Sequence, residues 1–286
     1  MTVVSADTLQ LAHVEMADPA VIPASPVFET WRTTGESLTF TPNTSESGEL
    51  ASSGRSRKPG NVTGMSVSGD INFELSKFTA LEQAIEGVLA EDWGECPLTG
   101  ALGGAIDSTD RITVGRDRKY YLIEKRFPNP DHVEGTTMLA LAAAGTPGAT
   151  PTLTFSGGPA DGSGYAVIGI SLDALGQVVA EVPIAPGDTA VDVAAKATTI
   201  INGLTETAIT AVDAGGGVVN LSTTGTTLTV TERIGFDQYF YQRYVGATYS
   251  VLTINAAPNA PVSGAVSIIG GEPLLDKLPL DGATYT

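Results

Sequence analysis

A mainly β chain of the α+β class is predicted from three features. Charged residues make up only 16% of the 286 residues, while there are 33 glycines, a balance that suits short strands and tight turns better than a helical bundle. Apolar residues recur in short runs, and the clearest of these alternate with polar ones. Only two stretches carry a helical period. At about 150 residues per domain the length allows one large or two medium domains, enough to bury a sizeable core.

Residues 1–30 hold Pro19, Pro23 and Pro26 and show no sustained period. They are expected to form an extended N-terminal arm, either loose or held by a neighbouring copy. A strand is expected at Glu36–Pro42, followed by a long polar loop, 43–61, that carries Glu46, Glu49, Arg55, Arg57 and Lys58. The strongest strand signal is Ser66–Leu75. Val67, Gly69, Ile71, Phe73 and Leu75 alternate with Ser66, Ser68, Asp70, Asn72 and Glu74. A period of two puts one set in a core and the other in water, along about 33 Å of chain. A wholly polar face on so long a strand suits the wall of a water-filled barrel.

The first helix is expected next. Thr79 and Glu82 make a capping-box pattern, and Phe78, Leu81, Ile85, Val88 and Leu89 fall on one stripe before Trp93. After a Gly-rich connector, Arg111–Phe127 mixes cations with Tyr120, Tyr121 and the acids Asp117 and Glu124. The interleaved acids argue against a nucleic-acid face and for a solvated strand whose charges meet another subunit.

Near Pro128 the composition shifts to Ala, Gly, Thr and Val. Residues 134–232 set Lys196 against nine acids. Strands are expected at Pro151–Ser156, Tyr165–Leu172, Gln177–Ile184, Ala208–Val212, Val218–Ser222 and Thr226–Thr231. A helix is expected at Thr189–Asn202, opened by Thr189 and Asp192 and stopped by Gly203. This is the pattern of a small α+β domain. Two last strands are expected around Tyr249 and Val251 and around Val262–Ile268, with Pro258–Pro261 as the turn.

Charge and composition also bound the function. The net charge of −17 and pI near 4.3 should repel DNA, since binding requires neutralised phosphates. Either plain solubility or a wall past which DNA slides fits this balance. Cys96 is the only cysteine, so no intrachain disulfide forms. His13 and His132 are the only histidines, too few for a His-based zinc site. No stretch approaches the about 20 apolar residues of a membrane helix, and no signal peptide is apparent, so the chain is expected to stay where it is made. No phosphate loop, dinucleotide fingerprint or nucleophile elbow is present. No catalytic, cofactor-binding or metal-binding residues are assigned, and no enzyme activity is expected. Spacing alone leaves room for a hidden pair of carboxylates in so acidic a chain.

The order strand, long charged loop, long strand, helix resembles the major tail tube protein of long-tailed bacteriophages. The phrases GESL (Gly35–Leu38), VSGDINFEL (Val67–Leu75) and ALEQAIEGVL (Ala80–Leu89) carry the likeness. It covers about residues 28–127 and 236–275. The phrase APGDTAVDVAAKATTIIN (Ala185–Asn202) is similar to a module of phage tail and virion proteins. The resemblance implies two packed antiparallel sheets with one helix. It divides the chain into an arm (1–30), a tail tube domain in two parts (31–127 and 236–286) and an inserted decoration domain (128–235). Several members of that family run further past the last strand than Thr286 does here.

The resemblance further implies hexameric rings stacked into a hollow tube that conducts DNA during ejection. Self-association is the main partnership. The tape measure protein, the tail terminator and tail-tip proteins are the others, and DNA passes without specific binding. The expected location is the virion tail, assembled in the host cytoplasm, with no membrane and no cofactor. On this reading Ser66, Ser68, Asp70, Asn72 and Glu74 face the bore. Glu46, Glu49, Arg55, Arg57 and Lys58 lie on a loop between rings. The alternatives are a secretion-system tube protein of related fold, a tail-tip or capsid decoration protein, and an enzyme of unknown type.

Overall fold

The computed structural model describes residues 9–45, 61–96, 109–135, 139–144, 151–172, 176–204, 209–223 and 228–286. The chain forms two compact units. The body comprises Leu9–Arg126, Gln242–Leu275 and Leu280–Thr286. The insert comprises Phe127–Tyr241 with the short piece Asp276–Pro279. Among the described residues the architecture is mainly β, with two helices and several antiparallel sheets.

The first half of the chain contains β1 (Gln10–Met16), β2 (Val27–Thr30), β3 (Thr33–Glu36), β4 (Thr39–Ser45), β5 (Asn61–Glu74), α1 (Thr79–Leu89), β6 (Gly94–Cys96), β7 (Thr109–Arg111) and β8 (Tyr120–Pro128). There follow β9 (Ala140–Ala144), β10 (Thr152–Ser156), β11 (Gly164–Leu172), β12 (Gly176–Ile184), α2 (Ala190–Asn202), β13 (Ile209–Gly215), β14 (Val218–Thr223) and β15 (Leu228–Phe236). The last elements are β16 (Tyr239–Asn255), β17 (Ser263–Ile269), β18 (Glu272–Asp276) and β19 (Thr284–Tyr285).

One hydrogen-bonded path of strands builds the body: β19-β2-β1-β8-β16-β17-β5-β3, with β18 on β16 and β4 on β5. The two sheets expected of the family are thus two halves of one path, joined through the 17-residue β16. Leu11, Tyr121 and Ile123 from one half share a core with Val67, Ile71, Phe73, Val266 and Ile268 from the other, and with Ala80, Leu81 and Ala84 of α1. A second cluster lies on the other side of β1 and β8, where Ala12, Met16, Phe28 and Leu122 meet Ile22, Leu280, Ala283 and Tyr285.

The body departs from expectation in three places. Residues 10–16 are no loose arm: β1 runs antiparallel to β8 over its whole length, from Gln10↔Arg126 to Met16↔Tyr120. Both of its faces are covered, so the hydrophobic alternation that marks a half-buried strand is missing from the sequence. The charges of β8 are not solvated. Glu124 is fully buried, 2.6 Å from the equally buried Arg243, and Lys125 is 2.8 Å from Glu36. Thr79 does not cap α1, because the N-cap is Phe78 with no side-chain bond. A shift of one residue places Thr79 inside the first turn, where its hydroxyl cannot reach the orphan amides. The helix ends at Ala90 in the left-handed conformation (φ 54°), its N–H bonded to Glu86 O.

The insert has its own core. Sheets β13-β14-β10-β9 and β12-β11-β15 enclose Leu153, Phe155, Ile168, Ile170, Val182 and Leu221 with Val193, Ala197 and Ile201 of α2. The capping box of α2 forms as the sequence implies, with Asp192 N–H donating to Thr189 Oγ1 and Thr189 N–H to Asp192 Oδ2. Strand β9, all Ala and Leu, lacks any β-branched signal and is not announced by the sequence. The piece Asp276–Pro279, expected in the second part of the tail tube domain, belongs to the insert. Leu278 is buried there, Asp276 pairs with Arg233 at 2.6 Å, and Lys277 pairs with Glu181 while lying 4.3 Å from the Tyr165 ring.

Candidate functional site

The sheet β16-β17-β5 with β4 carries the surface singled out by the sequence. Along β5 the even positions Ser66, Ser68, Asn72 and Glu74 are exposed and Asp70 is half-buried, whereas Val67, Ile71 and Phe73 are buried. The strand therefore buries one side only. Registers place Asp70 beside Ser267, Asn72 beside Ala265 and Glu74 beside Ser263, and these beside Val251, Thr253 and Asn255. On the other flank Thr39 lies opposite Ser68 and Thr41 opposite Ser66. The outward face thus carries hydroxyls, amides and two carboxylates, interrupted by the exposed aliphatic side chains of Val251 and Ile269. No lysine or arginine occupies these rows among the described residues.

Its shape depends on close local packing. Gly69 has φ +143°, and a Cβ there would stand 2.5 Å from Ser37 O. Ser37 makes the corner between β3 and β4 by donating its N–H to Asp70 O and accepting Asp70 N–H on its hydroxyl. Only glycine allows that approach. Asp70 is not a free carboxylate, since Ser267 Oγ donates to it at 2.6 Å. Glu74 stands exposed at the end of β5. Glu46, Glu49, Arg55, Arg57 and Lys58 lie outside the described residues, so their placement stays an expectation.

Three polar clusters have no counterpart in the sequence patterns. In the body, His13 is fully buried, with Tyr249 O–H and Trp31 Nε1–H both directed at its Nδ1 and its Nε2 2.8 Å from Gln83 Oε1. Burial, opposed by the Gln83 bond, lowers its pKa to about 4. Lys119 meets Asp92, Glu86 and Glu15; burial disfavours its charge, but the three carboxylates prevail and its pKa is raised.

In the insert, Asp237 Oδ1 takes both Ser163 Oγ and His132 Nδ1 at 2.7 Å. The residue types are those of a hydrolytic triad, but the geometry differs. Nucleophilic activation needs the imidazole between hydroxyl and carboxylate. Here Asp237 Oδ1 and Ser163 Oγ meet the same ring nitrogen, His132 Nδ1, the hydroxyl at 3.4 Å, while Ser163 donates to the carboxylate and accepts Val133 N–H. Asn129 joins the same knot through Gln238 O and Asp237 O. The cluster ties together the points where the chain enters and leaves the insert. Asn129 and His132 stand more than 100 positions from Asp237. Such a separation leaves no spacing motif, so no sequence signal announces the cluster.

A family model described as phage tail tube protein matches residues 7–286. The chain belongs to that family. No curated protein matches it. The phage tail tube family is one of structural tail components rather than enzymes, and membership implies assembly with further copies and other tail proteins. No helix among the described residues is long and apolar enough to cross a membrane.

Proposed function

We propose that this tail tube protein closes into hexameric rings that stack into a hollow tube, and that the outward face of β16-β17-β5 lines the bore that conducts DNA. The observation that carries the reading is the one-sided burial of β5. Among its described side chains this 14-residue strand buries Val67, Ile71 and Phe73 and keeps a largely polar face, and that face holds carboxylates and, among the described residues, no cation. Phosphates gain no counterion release from such a wall, so DNA slides without adhering. Within one chain the strand path is open, ending at β19 and β3. Joining such margins between copies removes exposed strand edges and favours closed rings.

Under this reading the loop with Glu46, Glu49, Arg55, Arg57 and Lys58 bridges successive rings through opposite charges. The insert, bounded in sequence as 128–235, projects outward as decoration, since a folded unit in the bore would block it. The tube is of the long-tailed phage type, assembles in the host cytoplasm, and meets the tape measure, terminator and tail-tip proteins.

Electron microscopy of the purified protein at high concentration, with symmetry averaging, tests the reading. Sixfold rings with an axial channel are expected, and filaments without a bore overturn it. Asp70→Lys with Glu74→Lys should still assemble but retain short duplex DNA in a low-salt pull-down, which the parent tubes do not. Arg55→Glu with Arg57→Glu should leave folded monomers that no longer stack.

A further inference from the structure

The outer margin of β2 is closed by Thr284–Thr286 of the same chain. Thr284 and Tyr285 run parallel to β2 beside Val27 and Phe28. Three backbone bonds hold the piece: Thr284 N–H to Pro26 O, Thr286 N–H to Phe28 O, and Thr30 N–H to Thr286 O. Tyr285 anchors it. Its ring stacks on Phe28 with centroids 5.2 Å apart, the Arg126 guanidinium lies 3.5 Å over the same ring, and its hydroxyl donates to Glu124 Oε1 at 2.7 Å. Thr286 Oγ1 adds a bond to Glu29. Just before it, Gly282 turns the chain with φ +64° against Ser25. The geometry is that of a short peptide adding a strand to a sheet edge, with a pocket for one aromatic side chain.

With β19 in place, the open margin at that end of the path is only two residues long. A margin already paired cannot pair with another copy. Resting on the ring-forming function above, we propose that the β2 margin is an acceptor for an extended segment of a second copy of this chain, and that Thr284–Thr286 competes for it as a removable cap. The acceptor has defined chemistry: the outward backbone groups of Val27–Thr30, the Phe28 ring, the Arg126 cation and a Glu124 oxygen that takes a hydroxyl donor. Two ladder residues close it, few enough for a longer strand to displace. The cap keeps single copies from pairing before a growing ring presents that strand.

A reversible lock tests this. Val27→Cys with Thr284→Cys, in a Cys96→Ser background, joins neighbours of the parallel ladder. Oxidised protein, with the crosslink verified by mass, should stay monomeric in sedimentation at concentrations where the reduced form assembles, and reductant should restore assembly. Tyr285→Ala, checked for a cooperative thermal melt, should self-associate at about tenfold lower concentration, given the anchor it loses. Oxidised protein that assembles like the reduced form overturns the cap. If the parent chain stays monomeric at every concentration, the ring reading fails; the margin proposal then still requires Tyr285→Ala to associate, and a folded, monomeric Tyr285→Ala overturns it too.

Discussion

The body and the insert hold themselves together by different chemistry. The insert buries aliphatic side chains, Ile168, Ile170, Val182, Val193, Leu153 and Leu221, with Phe155 as the large ring among the described residues of its core cluster. The body buries charge and aromatic polarity: Glu124 with Arg243, Lys125 with Glu36, and His13 among Trp31, Tyr121 and Tyr249. Aliphatic burial is non-directional and tolerates repacking. A buried ion pair is intolerant of misplacement, because one partner alone is an uncompensated charge. The contrast teaches that the body's core fixes particular strands in register by charge, whereas the insert has an aliphatic core and keeps its polar knot of His132, Ser163 and Asp237 where the chain enters and leaves it.

The largest effect should come from breaking the body's pair. Arg243→Met takes from Glu124 its nearest cation, leaving Arg126 Nε at 4.0 Å, and should destabilise the body by about 3–5 kcal/mol in urea unfolding. Adding Glu124→Leu should restore most of the loss; if the double variant is as weak as the single one, packing rather than charge dominates, and the contrast with the insert disappears. In the insert, Leu153→Ala should cost about 3 kcal/mol through transfer and cavity alone. Hydrogen exchange should locate that loss in 139–236 and leave β1 and β8 protected.

A smaller effect separates the units by pH. His13 is held neutral when folded, with a pKa near 4 against 6.5 in the open chain. Between those values the unfolded state binds the extra proton, so stability falls as pH falls through this window. His13→Gln should remove roughly 2 kcal/mol of the difference between pH 7.5 and 4.5 seen in the parent body transition, and change nothing in the insert. The smallest expected effect is at the α2 cap. Thr189→Ala should lose about 1 kcal/mol, whereas Thr79→Ala, outside any cap, should stay within about 0.5 kcal/mol. Thermal melts of the two variants decide the matter.

Much of the fold is legible in the chain. The alternation of Val67, Ile71 and Phe73 against Ser66, Ser68, Asn72 and Glu74 is a one-sided strand, because period two maps directly onto the two faces of a pleat. The capping box at Thr189 and Asp192 is local and forms as written. Strand β1 is not legible, since a strand covered on both faces has no alternation to detect. Strand β19 is not legible either, because two residues carry no period at all. At the candidate site the polar identity of the β5 face can be read, but the Ser267 bond to Asp70 links residues 197 positions apart.

What the amino-acid order settles on its own is whatever neighbours along the chain can express: a β-rich composition, the polar and apolar sides of β5, the second helix and its cap, and the acidic balance. The tertiary structure alone decides which distant groups meet. It pairs Glu124 with Arg243, places His13 under two donors, returns Asp276–Pro279 to the insert, and lays Tyr285 on Phe28. Each of these depends on strand order and register, and those follow from the free energy of the whole packed core rather than from any local preference.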